Sequence, residues 1–429
     1  MSNVSIIKTK DEYPNSILED NTHIHKAMLK GFELLGYDVS NPLGHIVKPG
    51  NRVFIKPNFV VDVYRASCSM VGDIYSVITH PSVIKAVVDF VAIALNGKGE
   101  IIVGDCPSID ADFENLMCVT GLEALMGRYD VPIKFFDLRN EWCDDLKYYG
   151  FKSKMKKLSG DPEGSSILNL GKRSLFYRDN PLLFRGIYTK RWGTIKHHLF
   201  NKHEYSVSNT MLNSDVFISI PKLKTHRKVA ATLNIKGLVG INTDKNFLIH
   251  WKIGCPSLGG DEWYNPSGLR GYMSLIFKHI INDLTPESLY FLLRTKTNLS
   301  MLNTEVSPCG HKHRGSGEKN ETCWKMAADL YKVFIEDRKS TTKFFSIVDG
   351  ITSGEGNGPF CPTSRQDGVL VMGEDLVEVD CASVKLMGFA PAEVGYLKYF
   401  LNGNYDVDTS YYPKKVELNF KAPEGWKSL

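Results

Sequence analysis

Two apolar runs on either side of one amphipathic helix constrain the fold of this chain more than any other feature. Residues 53–60 and 101–105 are rich in Val, Ile and Phe, which is typical of buried strands. Pro81 suits the first position of the intervening helix, and Asn96-Gly97 suits its end. A strand–helix–strand unit needs a crossover connection, so it predicts parallel strands in one sheet.

The same alternation continues along the chain. We predict further strands at 132–138, 216–220, 344–349 and 369–372. We predict helices at 111–126, 269–284, 321–338, 380–387 and 391–401, and either a helix or an extended loop at 229–239. The fold class is therefore α/β, with a mainly parallel sheet and helices on both faces.

The length of 429 residues allows this fold to form two lobes. The first lobe would comprise residues 1–139 and 206–250, and a helical segment with a second α/β portion would comprise 251–429. Residues 140–205 are rich in Lys, Arg, Gly and aromatic residues with weak periodicity. We interpret them as an irregular insertion with its own small core.

Composition excludes several classes of function. The formal charge of +4 is too small to predict a nucleic-acid or membrane partner, while an oligomer is left open. The nine cysteines are scattered and contain no Cys-x-x-Cys, which argues against a disulfide framework, a zinc ribbon or an iron–sulfur cluster. No signal peptide and no run of membrane-spanning length is evident, so the expected location is cytoplasmic.

A cationic segment follows the strand at 216–220. Pro221 has no N–H to donate, so we predict that the strand ends there and that Lys222, Lys224 and His226 lie on a loop. Open α/β sheets bind ligands beyond the carboxyl ends of their strands. Three potential cations there predict an anionic ligand. Further candidate binding or acid–base residues are Lys56, Asn58, Lys236 and His250, whereas Lys245 is expected on a solvated face.

Three aspartates occupy positions suited to chemistry. Asp105 and Asp349 end apolar strands, and Asp380 is expected to open a helix. Carboxylates at strand ends can hold a divalent metal ion or act as a general base, so all three are candidate metal ligands. Asp349 is the preferred candidate because a glycine-rich segment follows it. Asp380 could instead be a helix N-cap, and Asp105 could only organise its turn.

The glycine-rich segment 350–359 is predicted to be a loop that cradles an anion. Gly354, Gly356 and Gly358 would let backbone N–H groups approach a phosphate closely. The segment lacks the Gly-Lys-Ser/Thr of a Walker A motif, and it does not contain a dinucleotide-binding fingerprint. An ordinary flexible connection is the alternative.

These motifs together resemble the domain of unknown function 362 family. The resemblance rests on residues 49–58, on Thr79-His-Pro81, on 104–107, on Ile220-Pro-Lys-Leu-Lys-Thr-His226 and on 232–240, with C-terminal support from 320–324, 348–356 and 374–388. It covers most of the chain. Some members carry a ferredoxin-like cysteine cluster, but this chain lacks the cysteine spacing. The chain therefore resembles the longer, cluster-free members.

The resemblance implies a role without naming a reaction. Longer members look like companions of surface-polysaccharide and natural-product biosynthesis, and the family is distantly similar to a nickel-pincer lactate racemase. We therefore expect an enzyme acting on a phosphorylated or carboxylated small molecule, with His226, His250 and Asp349 as catalytic candidates. The alternatives are a racemase-like proton-transfer enzyme with a metal or pincer-type cofactor, and a non-catalytic binding or scaffold protein. The cofactor itself is unknown.

Overall fold

One mixed sheet organises the part of the chain that the computed structural model describes, which comprises residues 3–65, 73–144, 155–186, 191–261, 268–270, 273, 317–427 and 429. Ten described strands join this sheet, and the others form two-stranded pairs beside it. The strands in chain order are β1 Val4–Lys8, β2 Arg52–Pro57, β3 Glu100–Asp105, β4 Ile133–Asp137, β5 Glu141–Trp142, β6 Lys156–Lys157, β7 Ser165–Asn169, β8 Phe184–Arg185, β9 Glu204–Ser208, β10 Val216–Ile220, β11 Lys222–His226, β12 Ala230–Ala231, β13 Trp251–Lys252, β14 Lys343–Glu355, β15 Thr363–Gly373 and β16 Thr409–Tyr412.

The centre of the sheet is parallel. Its strand order is β16-β1-β15-β14-β10-β2-β3-β4, and the five strands from β14 to β4 all run in the same direction. The strand β15 runs antiparallel to both of its neighbours, and β1 pairs in parallel with β16. The predicted α/β class and the mainly parallel sheet are therefore confirmed. Strands from both predicted lobes join this one sheet, while the proposed domain boundaries stay a prediction.

Apolar layers cover both faces of the sheet because neighbouring residues of a strand point to opposite sides. In β2, Phe54 belongs to one buried cluster, whereas Val53 and Ile55 belong to the other. The first cluster also contains Phe176 and Phe184 of the segment predicted as an insertion. That segment therefore shares the main core, and the prediction of its own small core was wrong.

Helices pack on both layers. Their bounds are α1 His23–Leu34, α2 Pro81–Leu95, α3 Phe113–Thr120, α4 Arg191–Ile195, α5 Asn209–Leu212, α6 Leu233–Gly237, α7 Cys323–Phe334, α8 Leu376–Leu386 and α9 Gly395–Leu401. The helix predicted after Pro81 is confirmed as α2, which ends at Asn96 in the left-handed conformation with φ of 47°. No helix of the described residues is long and apolar enough to cross a membrane.

Several helices differ from their predicted bounds. The helix expected at 111–126 is interrupted at Gly121, whose φ of 65° ends α3 before the 3₁₀ turn Leu122–Leu125. The uncertain segment 229–239 contains the one-turn helix α6, followed by the 3₁₀ turn Leu238–Ile241. The helix expected at 269–284 lies almost entirely outside the described residues.

Two segments predicted as loops are strands. The residues of β11 pair in parallel with β14 immediately after Pro221. In turn, β14 continues past Asp349 to Glu355, because its later half pairs with the start of β15. The predicted phosphate-binding loop was therefore wrong for residues 350–355, since their backbone lies in the sheet.

Candidate functional site

A cavity of about 160 Å³ lies at the carboxyl ends of the parallel strands β2 and β3. From β2 the sheet continues through β3 and β4 on one side, and from β10 it continues through β14 on the other side. Open α/β sheets bind ligands at such a switch point in strand order. Four stretches of chain line the cavity. They are residues 56–60, residues 105–108, a long stretch from 224 to 250, and residues 357–360.

Positive charge dominates the cavity lining. Among the described residues that line the cavity, one side chain is a carboxylate and six are basic. The basic residues are Lys56, Lys224, Arg227, Lys228, Lys236 and Lys245. The carboxylate is Asp105, which forms an ion pair of 2.8 Å with Lys56. Gly240 packs against this pair so closely that an added Cβ would collide with both charged groups. Asp105 therefore neutralises Lys56.

Lys224 and Lys236 are buried lysines that no carboxylate of the described residues pairs with. The Lys224 ammonium donates to two backbone carbonyl oxygens, those of Val77 at 2.6 Å and Pro359 at 3.2 Å. Lys236 is 9 % exposed and has no hydrogen bond or ion pair with the described residues. Burial lowers the pKa of both lysines. Repulsion from Lys222 and Lys236 lowers the pKa of Lys224 further, and repulsion from Lys56 lowers that of Lys236.

Two further lysines of the lining are desolvated. Desolvation lowers the pKa of Lys228 to about 8 and that of Lys245 also to about 8. The Lys245 ammonium donates to the Cys106 carbonyl at 2.7 Å, so this half-buried side chain does not lie on the solvated face that we predicted. Both amines titrate near neutral pH, which is typical of groups at functional sites.

Two histidines face the same cavity as neutral imidazoles. Burial and the neighbouring lysines hold the pKa of His226 and of His250 well below the usual value. His226 Nδ1 accepts a hydrogen bond of 3.0 Å from the Lys228 backbone N–H. His250 Nδ1 is buried and has no hydrogen-bond partner among the described residues. It is therefore available for a hydrogen bond with a ligand.

The segment between β11 and α6 carries backbone strain beside the cavity. Ala230 and Leu233 adopt left-handed φ values of 68° and 45°, which residues with a Cβ adopt at a cost of about 1–3 kcal/mol. Between them, the Thr232 hydroxyl is buried without a hydrogen-bond partner. Strained backbone and an unsatisfied hydroxyl are unfavourable for the free protein, and both concentrate at functional sites.

Asp380 anchors this segment and is not the helix-opening residue that we predicted. It lies inside α8, whose N-cap is Asp375. The Asp380 carboxylate accepts 2.9 Å hydrogen bonds from the backbone N–H groups of Asn234 and Ile235 and from the Asn234 side chain. Burial raises the pKa of Asp380 to about 7. Its carboxylate therefore fixes the start of α6 and does not line the cavity.

Lys222 and Asp349 form a separate site below the cavity. Their side chains are fully buried and paired at 2.8 Å. Asp349 also accepts hydrogen bonds from the Tyr13 hydroxyl at 2.9 Å and the His80 backbone N–H at 3.0 Å. Neither Lys222 nor Asp349 is among the residues that line the cavity. The expectation that Lys222 and Asp349 converge with the other candidates in one pocket was therefore wrong.

The three glycines that we predicted to cradle an anion do not all line the cavity. Gly358 lines the cavity, whereas Gly354 and Gly356 do not. An added Cβ at Gly354 would lie 2.7 Å from the Ser76 carbonyl, so close packing explains that glycine. Gly356 has a left-handed φ of 72°, and its carbonyl accepts a 2.7 Å hydrogen bond from the Thr225 hydroxyl.

Of the predicted site residues, the cavity lining brings together Lys56, Asn58, Asp105, Lys224, His226, Lys236, His250 and Gly358. Their roles in binding or catalysis stay predictions. Sequence reasoning missed Arg227, Lys228, Thr232 and Gly237. Arg227 and Lys228 follow His226 directly. The cationic segment therefore continues past His226 in the sequence, and this could have identified them as candidates. Within the described ranges, no group of three or more His, Cys, Asp or Glu is placed to hold a metal ion.

The sheet and its cavity define an α/β protein with a lysine-lined cavity at the carboxyl ends of its parallel strands. The family model described as "Domain of unknown function (DUF362)" matches residues 53–159 and 178–385. The chain therefore belongs to this family. No curated protein matches the chain.

Proposed function

We propose that the protein is an enzyme acting on an anionic small molecule, phosphorylated or carboxylated, which binds in the cationic cavity. Two buried lysines that line a cavity of about 160 Å³, Lys224 and Lys236, form no ion pair with the described residues, and this observation carries the proposal. Buried cations destabilise a protein unless counter-charges compensate them. An anionic ligand would supply that compensation. The family resemblance further supports a place in surface-polysaccharide or natural-product biosynthesis.

The shape of the site supports ligand binding over a scaffold role. A scaffold would carry its charged side chains on an exposed surface, whereas Lys224 is fully buried and Lys228, Lys236 and His226 are more than nine-tenths buried. Charges in a partly desolvated cavity attract an opposite charge more strongly than exposed lysines do. The candidate acid–base groups are His250, whose Nδ1 is unpartnered, and Lys228, whose pKa is about 8.

A racemase-like proton transfer is the second candidate. Its support is that His226 and His250 both line the cavity and interact electrostatically. One neutral imidazole could remove a proton from a substrate carbon, and the other could return a proton on the opposite side only in its protonated form, which a bound anion would favour. A carboxylated substrate would then hold its anionic group on the lysines. The metal or pincer-type cofactor proposed with this reaction has no support from the described side chains.

Calorimetric titration of the purified protein with anions tests the proposal. The titrants are sulfate, inorganic phosphate and citrate, with glycerol as the uncharged control. We expect the anions to bind with a dissociation constant below about 1 mM and the affinity to fall with added chloride, because desolvated cations dominate the site. Glycerol should release no heat of binding. Equal signals for glycerol and phosphate, or no binding of any anion, would contradict an anion site.

Affinity for sulfate should decrease as the pH rises above 8. Sulfate keeps its charge over this range, whereas Lys228 and Lys245, each with a pKa of about 8, lose their protons in the free protein. Because the ligand favours the protonated lysines, binding should take up protons, and affinity should fall up to about tenfold per pH unit for each lysine. Titrations between pH 7 and 9.5 in buffers of different ionisation enthalpy measure both effects. The Lys228→Met variant should have a shallower pH dependence, and an unchanged dependence would exclude Lys228 as a contributor.

A further inference from the structure

Gly237 lines the cavity without any reason in the fold to be a glycine. Its φ of −58° and ψ of −27° are ordinary helical values that every L-residue adopts. An ideal Cβ built at Gly237 meets no heavy atom of the described residues within 4 Å. The other described glycines with equally open surroundings all have positive φ; they are Gly50, Gly121, Gly127, Gly259, Gly268, Gly356 and Gly403. Neither backbone conformation nor packing against the protein therefore explains Gly237.

A glycine in a helix is less favourable than alanine, so its presence at the cavity wall needs another explanation. The remaining reason for a glycine is close approach of a ligand to the backbone. The space that a side chain at position 237 would occupy belongs to the cavity. A ligand in the cavity could therefore approach the backbone closely at Gly237.

Unused hydrogen-bonding groups surround this part of the wall. Thr232 and Lys236, on either side of the left-handed Leu233, both line the cavity beside Gly237. The Thr232 hydroxyl has no partner, and Lys236 has no carboxylate or carbonyl partner among the described residues. Lys224 uses two of its three N–H groups on Val77 and Pro359, which leaves the third available.

The backbone at the start of α6 does not contribute to this subsite. Asp380 accepts hydrogen bonds from the N–H groups of Asn234 and Ile235, so neither group is free for a ligand. The ligand must therefore be bound by side chains. Three donors are available for it: the Lys236 ammonium, the Thr232 hydroxyl and the remaining N–H of Lys224.

We infer that the ligand is a phosphate ester whose phosphate lies against Gly237 and is bound by Lys236, Thr232 and Lys224. This inference rests on the proposed function and names its substrate class. A phosphate ester presents three terminal oxygens and close to two negative charges, which matches three donors of which two are lysine ammonium groups. A carboxylate presents two oxygens and one charge, so it would leave a donor unused. His250 would then face the organic part of the ester.

Two variants that keep the fold test the inference. Gly237→Ala adds one methyl group at a helical position with no protein neighbour, so the Tm should be unchanged or higher. Thr232→Val keeps the side-chain shape and removes a buried hydroxyl that has no partner, so it should not lower the Tm. Each variant should weaken the binding of inorganic phosphate about tenfold or more, because the first occludes the subsite and the second removes a donor.

The titrations use inorganic phosphate and glycerol 3-phosphate, with acetate and lactate as carboxylate probes. We expect the wild-type protein to bind both phosphates more tightly than either carboxylate. If anions bind but Gly237→Ala and Thr232→Val retain wild-type affinity, the phosphate subsite is refuted while the proposed function stands. Tighter binding of the carboxylates would refute it in the same way. If the wild-type protein binds no anion, the proposed function itself fails.

Discussion

Replacing Lys222 with methionine should destabilise the protein by about 3–5 kcal/mol, because Asp349 would remain as a fully buried and unpaired carboxylate. Such a loss is a large part of the free energy of unfolding of a typical protein. The pair also positions Tyr13, whose hydroxyl accepts a 2.8 Å hydrogen bond from Lys222 and donates to Asp349. Urea denaturation followed by circular dichroism measures the change.

A double-mutant cycle separates the pair from general damage to the core. Lys222→Met together with Asp349→Asn removes both charges, so the double variant should recover part of the stability that the single variant loses. Lys10→Met is the matched control, because Lys10 is exposed on the surface and should change stability little. A loss below about 1 kcal/mol for Lys222→Met would contradict the buried ion pair. Strict additivity in the double variant would show that the two side chains do not interact.

Replacing Lys236 with methionine should have opposite effects on binding and on stability. The affinity for inorganic phosphate should fall between about 30-fold and a few thousand-fold, since a desolvated charge–anion contact contributes about 2–5 kcal/mol. The ligand-free protein should be equally stable or more stable, by about 1 kcal/mol, because a buried cation without a partner is removed. Calorimetric titration and thermal unfolding of the same preparations measure both quantities.

Lys10→Met again serves as the control, and it should leave phosphate affinity unchanged. A Lys236→Met variant that loses stability and retains affinity would show that Lys236 is a structural residue outside the ligand site. A variant that loses both would indicate that the cavity collapses. Only a loss of phosphate affinity together with unchanged or higher stability supports the interpretation that the Lys236 cation serves to bind a ligand.

The architecture could be predicted where local pattern decides the structure. Apolar runs at 53–60, 101–105, 216–220 and 344–349 identified strands that join one sheet, and Pro81 with Asn96-Gly97 identified both ends of α2. These signals lie within a few residues of one another. They reflect burial and backbone preference, which the sequence displays directly.

The prediction failed where distant partners decide the structure. Residues 222–226 look polar and loop-like, but β14 satisfies their backbone and Asp349 satisfies the Lys222 charge, more than a hundred residues away. Gly350 and Gly354 suggest a loop, but both lie in β14. They are glycines because close neighbours leave no room for a Cβ there. A single sequence does not reveal such pairings, so Lys222 and Lys224 could not be separated into an ion pair and a site residue.

The cavity walls come from four stretches that span residues 56 to 360. Contacts between positions so far apart form only after the chain has closed long loops. Competence to bind a ligand should therefore arise late in folding and should report that the whole sheet is complete. By mass action, a ligand that binds only this state shifts the global unfolding equilibrium. Amide hydrogen exchange by global unfolding should then slow together in β2, β3 and β11 when the cavity is occupied.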